Sequence, residues 1–338
     1  MHLEDVSGIP FVSQVPGVEE YQHRARVRAG TDDLFAAVTP PAAGYEAYNQ
    51  QKLALGEPEL VIAKPAEDPL AVSRACADGE AFERIVECGR REGGLVIHPY
   101  MAIESVWELA EQLASRGVDA RVLGPPPPVL WIANDKARIA EINELLFESP
   151  LNVATEVATD PKSMVRKLVD FAESFERVGL KRTRCASATG NIVFDSEKLR
   201  DAGPQVVLRR VQRFLNRTEW PAGEEVLVVE WFDATVSPST QTWIPPAGEG
   251  APRLDGVYEQ ILKSEERIFV GSKPSTLPKA VDRRLGEVSI AVAAVLQELG
   301  YVGRCSFDFV VGGDLHGEWD ARMIECNGRW GGTSTPMH

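Results

Sequence analysis

Between Glu59 and Gly124 the chain alternates short apolar runs with longer amphipathic ones, and this rhythm restricts the fold more than any other feature. "LVIA" and "LVIH" have the length and composition of strands, the first reading as a buried one. "DGEAFERIVECGRREGG" and "ESVWELAEQLASRG" read as helices that end at glycines, and "VDARVLG" as a further strand. Strands joined by helices of this length require right-handed crossovers and a parallel sheet, so the fold class here is α/β. "GPPPP", residues 124 to 128, is stiff and poor in amide donors, and marks the end of a first unit over 1–124. The first sixty residues yield little beyond a loop at "VTPPAAGYEAYNQQ".

Further on, "VLWIANDKARIAEINELLF" reads as a strand running directly into a helix. "DPKSMVRKLVDFAESFERVG" puts Val165, Leu168, Ala172 and Phe175 on one helical face. "LKRTRCASATGNIVF" reads strand, turn, strand. "PQVVLRRVQRFLNR" reads as a helix with Val207, Val211 and Phe214 inward and Arg209, Arg210 and Arg213 outward. "EVLVVEWF", "TQTWIP" and "GVYEQIL" are strand candidates, and "KAVDRRLGEVSIAVAAVLQELG" is a long helix stopped by Gly300. "RCSFDFVV" and "RMIEC" then read as an antiparallel pair.

The 338 residues allow two or three units with their own cores. A net charge of −14 argues against nucleic acid or an anionic membrane as the main partner. No apolar run reaches the roughly 18 residues of a membrane span. "MHLEDVSGIP" lacks a basic stretch followed by an apolar one, so no signal peptide is expected. Cys76, Cys88, Cys185, Cys305 and Cys326 are odd in number and never spaced CxxC, which points to reduced thiols and a cytoplasmic location.

The candidates for chemistry gather late in the sequence. In "RMIECNGRWGG", Glu325, Asn327 and Arg329 fall at alternate positions and so share one strand face. Asp308 lies in the preceding strand. Carboxylate and amide oxygens are hard ligands, suited to Mg²⁺ or Mn²⁺ with phosphate completing the shell. The competing reading is a solvated sheet face. Lys136 stands where a polar group can meet a ligand, and Lys181 opens a strand just before "CASATGN". Ser187, Thr189 and Gly190 in that turn offer backbone amides to phosphate. Taken singly, each lysine also suits a plain surface position, and the turn any hairpin. His98 and the cysteines read as structural.

The order of these elements resembles the ATP-grasp superfamily from about residue 125 to the end, most specifically in "ECNGRWGG". The resemblance implies a half-Rossmann pre-ATP-grasp domain over 1–124, then a two-lobed unit with a first lobe over 125–228 and a second over 229–338. It implies Lys136 and Lys181 on nucleotide phosphates, with Ser187, Thr189 and Gly190 in the loop that closes over them. Glu230, Trp231 and Phe232 would form the hinge that holds adenine through backbone groups. Asp308, Glu325 and Asn327 would hold magnesium, and Arg329 would act on the transferred phosphoryl or the carboxylate it meets. Many members carry more glycines in the phosphate loop and continue past the point matching His338, so a clipped chain or missing substrate contacts is expected. The whole also resembles the pheganomycin-type peptide ligases. The activity so implied is that of an ATP- and magnesium-dependent carboxylate–amine ligase, acting through an acyl phosphate and releasing ADP and phosphate. Its partners would be small molecules, an acid and an amine (amino acid or peptide), with a homodimer compatible. An ATP-grasp kinase, a carboxylase-like enzyme and a silent nucleotide-binding protein remain the alternatives.

Overall fold

The structure, a computed structural model, describes residues 1–185, 190–263 and 268–337. Its first layer is a parallel sheet of β1 (His2–Leu3), β2 (Leu34–Ala37), β3 (Glu59–Ile62), β4 (Leu95–Pro99) and β5 (Ala120–Val122). The strand order is β3-β2-β1-β4-β5. Helix α1 (Tyr45–Leu53) links β2 to β3, α2 (Val72–Ala75) and α3 (Gly79–Arg91) link β3 to β4, and α4 (Glu104–Ser115) links β4 to β5. The Asp78 carboxylate caps α3 by accepting from the Gly79 amide, and Ile85 and Val86 are buried on its inner face. They meet Leu3, Val61, Ile97, Val106 and Leu109 in one core. Trp330, from the far end of the chain, joins that core.

Two expectations need correction here: "VTPPAAGYEAYNQQ" is a loop only in its first half, since "YEAYNQQ" opens α1, and "LVIA" is not buried. "LVIA" is the edge strand β3, with Leu60 37% and Ile62 43% exposed, because an apolar run does not say whether a neighbour covers it. The central strand is β1, supplied by His2 and Leu3, and two residues are too few to carry a periodic signal.

After β5 the "VLWIA" run is not a strand. It belongs to α5 (Pro127–Ala133), followed after two residues by α6 (Lys136–Leu146). Pro127 and Pro128 open α5 where a helix needs no amide donors, with φ already suited to it. The apolar residues therefore recur at helical spacing, with Val129, Leu130 and Ala133 buried.

The middle layer is an antiparallel sheet of β6 (Thr155–Ala158), β7 (Arg177–Arg182), β8 (Asn191–Asp195) and β9 (Val226–Glu230), ordered β6-β9-β7-β8. It shares a core with α7 (Pro161–Ala172), α8 (Ser196–Asp201) and α9 (Pro204–Arg217), in which Met164, Leu168, Val211 and Phe214 meet Val178, Leu180 and Val228. Arg209, Arg210 and Arg213 are exposed on α9, as its apolar period requires.

The last layer is antiparallel throughout: β10 (Pro238–Ile244), β11 (Arg253–Lys263), β12 (Ile268–Pro274), β13 (Gly303–Gly313) and β14 (Trp319–Asn327), ordered β12-β11-β10-β13-β14. Helix α10 (Lys279–Glu298) packs on it through Val281, Leu285, Val288 and Val292. Val129, Ala133 and Ile139 of α5 and α6 enter this same core. Among the described residues no helix is long and apolar enough to cross a membrane, and all five cysteines are free and buried.

Candidate active site

The α5–α6 junction, "NDK", is where three parts of the chain are tied together, one residue each. Asn134 accepts from the Gly328 amide (3.2 Å) and from Arg329 Nη1 (2.5 Å), and donates to the Leu130 carbonyl (2.8 Å). A Cβ on Gly328 would lie 2.7 Å from Ala133 Cβ and 2.7 Å from Asn134 Nδ2, so this approach depends on glycine. Asp135 caps α6 through the Ala137 and Arg138 amides and pairs with Arg184 at 2.9 Å. The Lys136 amide donates to the Thr183 carbonyl (3.0 Å), while its buried ammonium donates to the Cys185 carbonyl (2.7 Å) and pairs with Glu325 (2.8 Å). Lys136 therefore opens a helix after a helix, not after a strand as its surroundings in sequence suggest.

Glu325 lies opposite Asp308 in the β13–β14 ladder, and Asn327 opposite Ser306. Asn327 Nδ2 donates to Asp308 Oδ2 at 3.0 Å. Both carboxylates feel burial first, which pushes them up. For Glu325 the nearby Lys136, Arg329 and Lys181 outweigh it and hold the group below its ordinary value. For Asp308, burial and then the Glu325 charge win over hydrogen bonds from Ser239 and Asn327, and its carboxyl titrates at about 6. Burial lowers the Lys181 ammonium to about 8, against the pull of Glu325 and with the help of Lys136. That ammonium stands 5.0 Å from the centroid of the Trp231 ring. The same ring packs on Gly179, where a Cβ would come within 3.0 Å of it.

A cleft of about 1130 Å³ brings Lys136, Lys181, Asp308, Glu325, Asn327 and Arg329 together. Glu230, Trp231 and Phe232 line it as well. The Glu230 and Trp231 amides are already used, donating to the Ala154 and Arg177 carbonyls at 2.9 Å each. Gly190 is buried, and a Cβ there would meet Cys185 Cβ at 2.4 Å. Ser187 and Thr189 lie outside the described residues. Among the described residues no group of three or more His, Cys, Asp or Glu side chains could hold a metal; Asp308, Glu325 and Asn327 bring two carboxylates and one amide to the cleft. Around Glu325 and Asp308 stand three cations, Lys136, Lys181 and Arg329.

Asn134, Asp135, Tyr21 and Tyr100 escape a reading of the sequence, the tyrosines being cleft residues from the parallel layer and its edge. An Asn-Asp pair ahead of a lysine and an apolar helical period is nonetheless a readable cap signal. Nothing in the sequence places Tyr21 or Tyr100. His98 packs its ring against His2 (4.9 Å) and Trp330 (5.3 Å).

No protein-family model matches the chain, and no curated protein matches it in sequence. Solved structures do match in shape. The biotin carboxylase domain of Hydrogenobacter thermophilus 2-oxoglutarate carboxylase superposes with a TM-score of 0.58 at 17% identity, over 85% of this chain and 57% of that one. Campylobacter jejuni biotin carboxylase gives 0.58 at 15% identity, over 88% of this chain and 60% of that one. D-alanyl-alanine synthetase A from Vibrio cholerae O1 biovar eltor gives 0.52 at 14% identity, over 72% and 68%. The chain thus spans less than two thirds of the length of the two carboxylase structures. The fold is that of the ATP-grasp superfamily.

Proposed function

We propose that the protein is an ATP-dependent ligase that joins a carboxylate to an amine, releasing ADP and phosphate. One observation carries this reading: Lys136, Lys181 and Arg329 share a single cleft with Asp308, Glu325 and Asn327, giving cations for a polyphosphate beside oxygen donors for its metal. The Hydrogenobacter neighbour was crystallised with MgADP and bicarbonate, and the Campylobacter one as a β,γ-ATP complex. Asp308, Glu325 and Asn327 fit magnesium by donor type, because hard oxygens with phosphate suit it. Magnesium, when bound, would neutralise charge on the terminal phosphates.

The chain's own residues supply the rest. Lys136 and Lys181 balance the phosphates from two different layers, α6 and β7. Gly190 is assigned to the loop over those phosphates, together with Ser187 and Thr189. At the hinge, Trp231 offers a ring face and the Phe232 amide is the donor assigned to adenine, since those of Glu230 and Trp231 are taken. Arg329, oriented by Asn134, neutralises the carboxylate as its oxygen attacks the γ-phosphorus. The bond to the β,γ-bridging oxygen breaks and ADP leaves; the amine nitrogen then attacks the acyl carbon, the bond from that carbon to the phosphate oxygen breaks, and the nitrogen gives up a proton as phosphate departs. The division we propose is 1–124, 125–228 and 229–338, the middle unit lending α5 and α6 to the core of the third. The pheganomycin-type peptide ligases are the proposed subgroup, and the proposed assembly is a homodimer in the cytoplasm.

Screening acids against amines, from amino acids to short peptides, for ADP release with mass spectrometry of the product tests this. ADP release that needs both partners and yields an amide supports it. Release driven by bicarbonate alone would instead favour a carboxylase.

A further inference from the structure

One portion of the cleft lining plays no part in the chemistry proposed above. The parallel layer and its edge contribute Val15, Tyr21 and Tyr100 to it, while Leu262 of β11 and Phe269 of β12 come from the last layer. Leu262 and Phe269 are direct cross-strand partners and so share one face of their sheet. The segment that follows Arg329 joins the two groups. The Trp330 amide donates to the Tyr100 carbonyl at 3.0 Å. Two residues further on, Gly332 lies so close to the Phe269 ring that a Cβ would come within 2.5 Å of Cε1. Gly331, Gly332 and Thr333 of this segment line the cleft as well.

Composition sets this portion apart. None of its residues carries a charge, whereas the charged lining residues, Lys181, Asp308, Glu325 and Arg329 among them, come from other elements. Phe269 is 41% exposed, a large ring left facing water, and Val15, Tyr21 and Leu262 are half-buried. Covering such surface with an apolar group is favourable, whereas a charged group placed there loses hydration and gains no partner. The tyrosine wall is held from outside the lining: Arg24, paired with the buried Glu4, lies 3.8 Å from the Tyr21 ring centroid and 5.2 Å from that of Tyr100. A preformed, mostly aromatic and aliphatic surface beside a few polar groups is what a small-molecule subsite requires.

We infer that Val15, Tyr21, Tyr100, Leu262 and Phe269 form a subsite for an apolar side chain carried by the acid substrate. The inference rests on the ligase reading above, which gives Arg329 the carboxylate to be activated. Arg329 opens the segment that runs on to Gly332 and Phe269, so an acid held there sets its substituent beside the uncharged lining. The acid is therefore one with a branched aliphatic or aromatic group near its carboxylate, and Phe269 is its specificity determinant. A second carboxylate on the acid finds no cation among these residues and is disfavoured.

The test replaces the amine with hydroxylamine, so that only the acid varies. Glycine, aspartate, leucine and phenylalanine, each free and N-acetylated, are supplied with ATP and Mg²⁺. Hydroxamate and ADP are measured together, and Mg-ADP binding by calorimetry reports that each variant is folded. The leucine and phenylalanine acids should show kcat/KM about tenfold or more above the glycine acids, with aspartate no better than glycine. Phe269→Ala should bring the leucine-to-glycine ratio down toward one. Phe269→Leu keeps an apolar side chain, guards against misfolding, and should retain most of the preference. Hydroxamate formed equally from all the acids, or best from aspartate, would overturn the subsite alone, as would an apolar preference that Phe269→Ala leaves intact. No hydroxamate from any acid would overturn the ligase reading instead.

Discussion

Two carboxylates in this molecule sit in opposite circumstances. Asp5 is fully buried and completely served: it accepts from the Ser7 amide (3.0 Å) and hydroxyl (2.6 Å) and from the Ser73 amide (2.9 Å) and hydroxyl (2.5 Å), with Ser105 bonded behind at 2.7 Å. Neutral donors satisfy it, and no cation is needed. Glu325 has Lys136 at 2.8 Å, with Lys181 and Arg329 acting on it as well, and Asp308 opposite. The first arrangement is closed and has nothing left to offer a ligand. The second sets Lys136, Lys181 and Arg329 against two carboxylates, an excess of positive charge that an added anion would balance. A satisfied polar network specifies the fold, whereas an unbalanced one marks a place where something binds.

The sharpest way to break this contrast is to neutralise each carboxylate. Glu325→Gln, which keeps the size and removes the charge, should cut turnover by about a thousandfold or more while leaving melting within a few degrees. A near-normal rate at saturating magnesium would end its assignment to the metal. Asp5→Ala should do the reverse, costing on the order of 3 kcal/mol of stability by stranding the Ser73 donors, with kcat of the folded fraction intact. Denaturant titration and initial rates on the same preparations separate the two.

Lys181→Ala should weaken Mg-ADP binding about ten- to a hundredfold, since it removes a charge meant for phosphate. Its melting temperature should hold or rise, because the lost ammonium was buried with its pKa already down to about 8. A fall in stability with unchanged nucleotide affinity would make the residue structural. The smallest effect concerns pH. Asp308 in the ligand-free protein takes up its proton at about 6, above the ordinary 3.8. Its contribution to stability is therefore fully present below 3.8 and lost as pH rises through about 6. Magnesium competes with that proton, so the melting shift given by Mg-ADP should be smaller at pH 5.5 than at pH 7.5. Equal shifts at the two pH values would remove Asp308 from the metal site.

Legibility in the sequence follows how local each signal is. The α3 and α4 helices and the β13–β14 pair can be read because their apolar periods are long and end at glycines or turns. The strand face of Glu325 and Asn327 is legible for the same reason. "VLWIA" misleads because five apolar residues fit a strand or a helix turn equally, and the two prolines ahead of it signal a break as readily as a helix start. The shortness of β1 hides the centre of the parallel sheet. Tyr21 and Tyr100 reach the cleft from distant parts of the sequence through long-range packing, and no spacing rule reaches that far.

Catalysis as proposed depends on attack at the γ-phosphorus by a carboxylate that Arg329 holds. Trapping with hydroxylamine reads this directly: the acid, ATP and Mg²⁺ are supplied, the amine is withheld, and hydroxamate and nucleotide products are measured together. The expected result is a hydroxamate formed in step with ADP, and its suppression in Arg329→Ala. AMP and pyrophosphate in place of ADP, or amide formation with no trappable acyl phosphate, would contradict it.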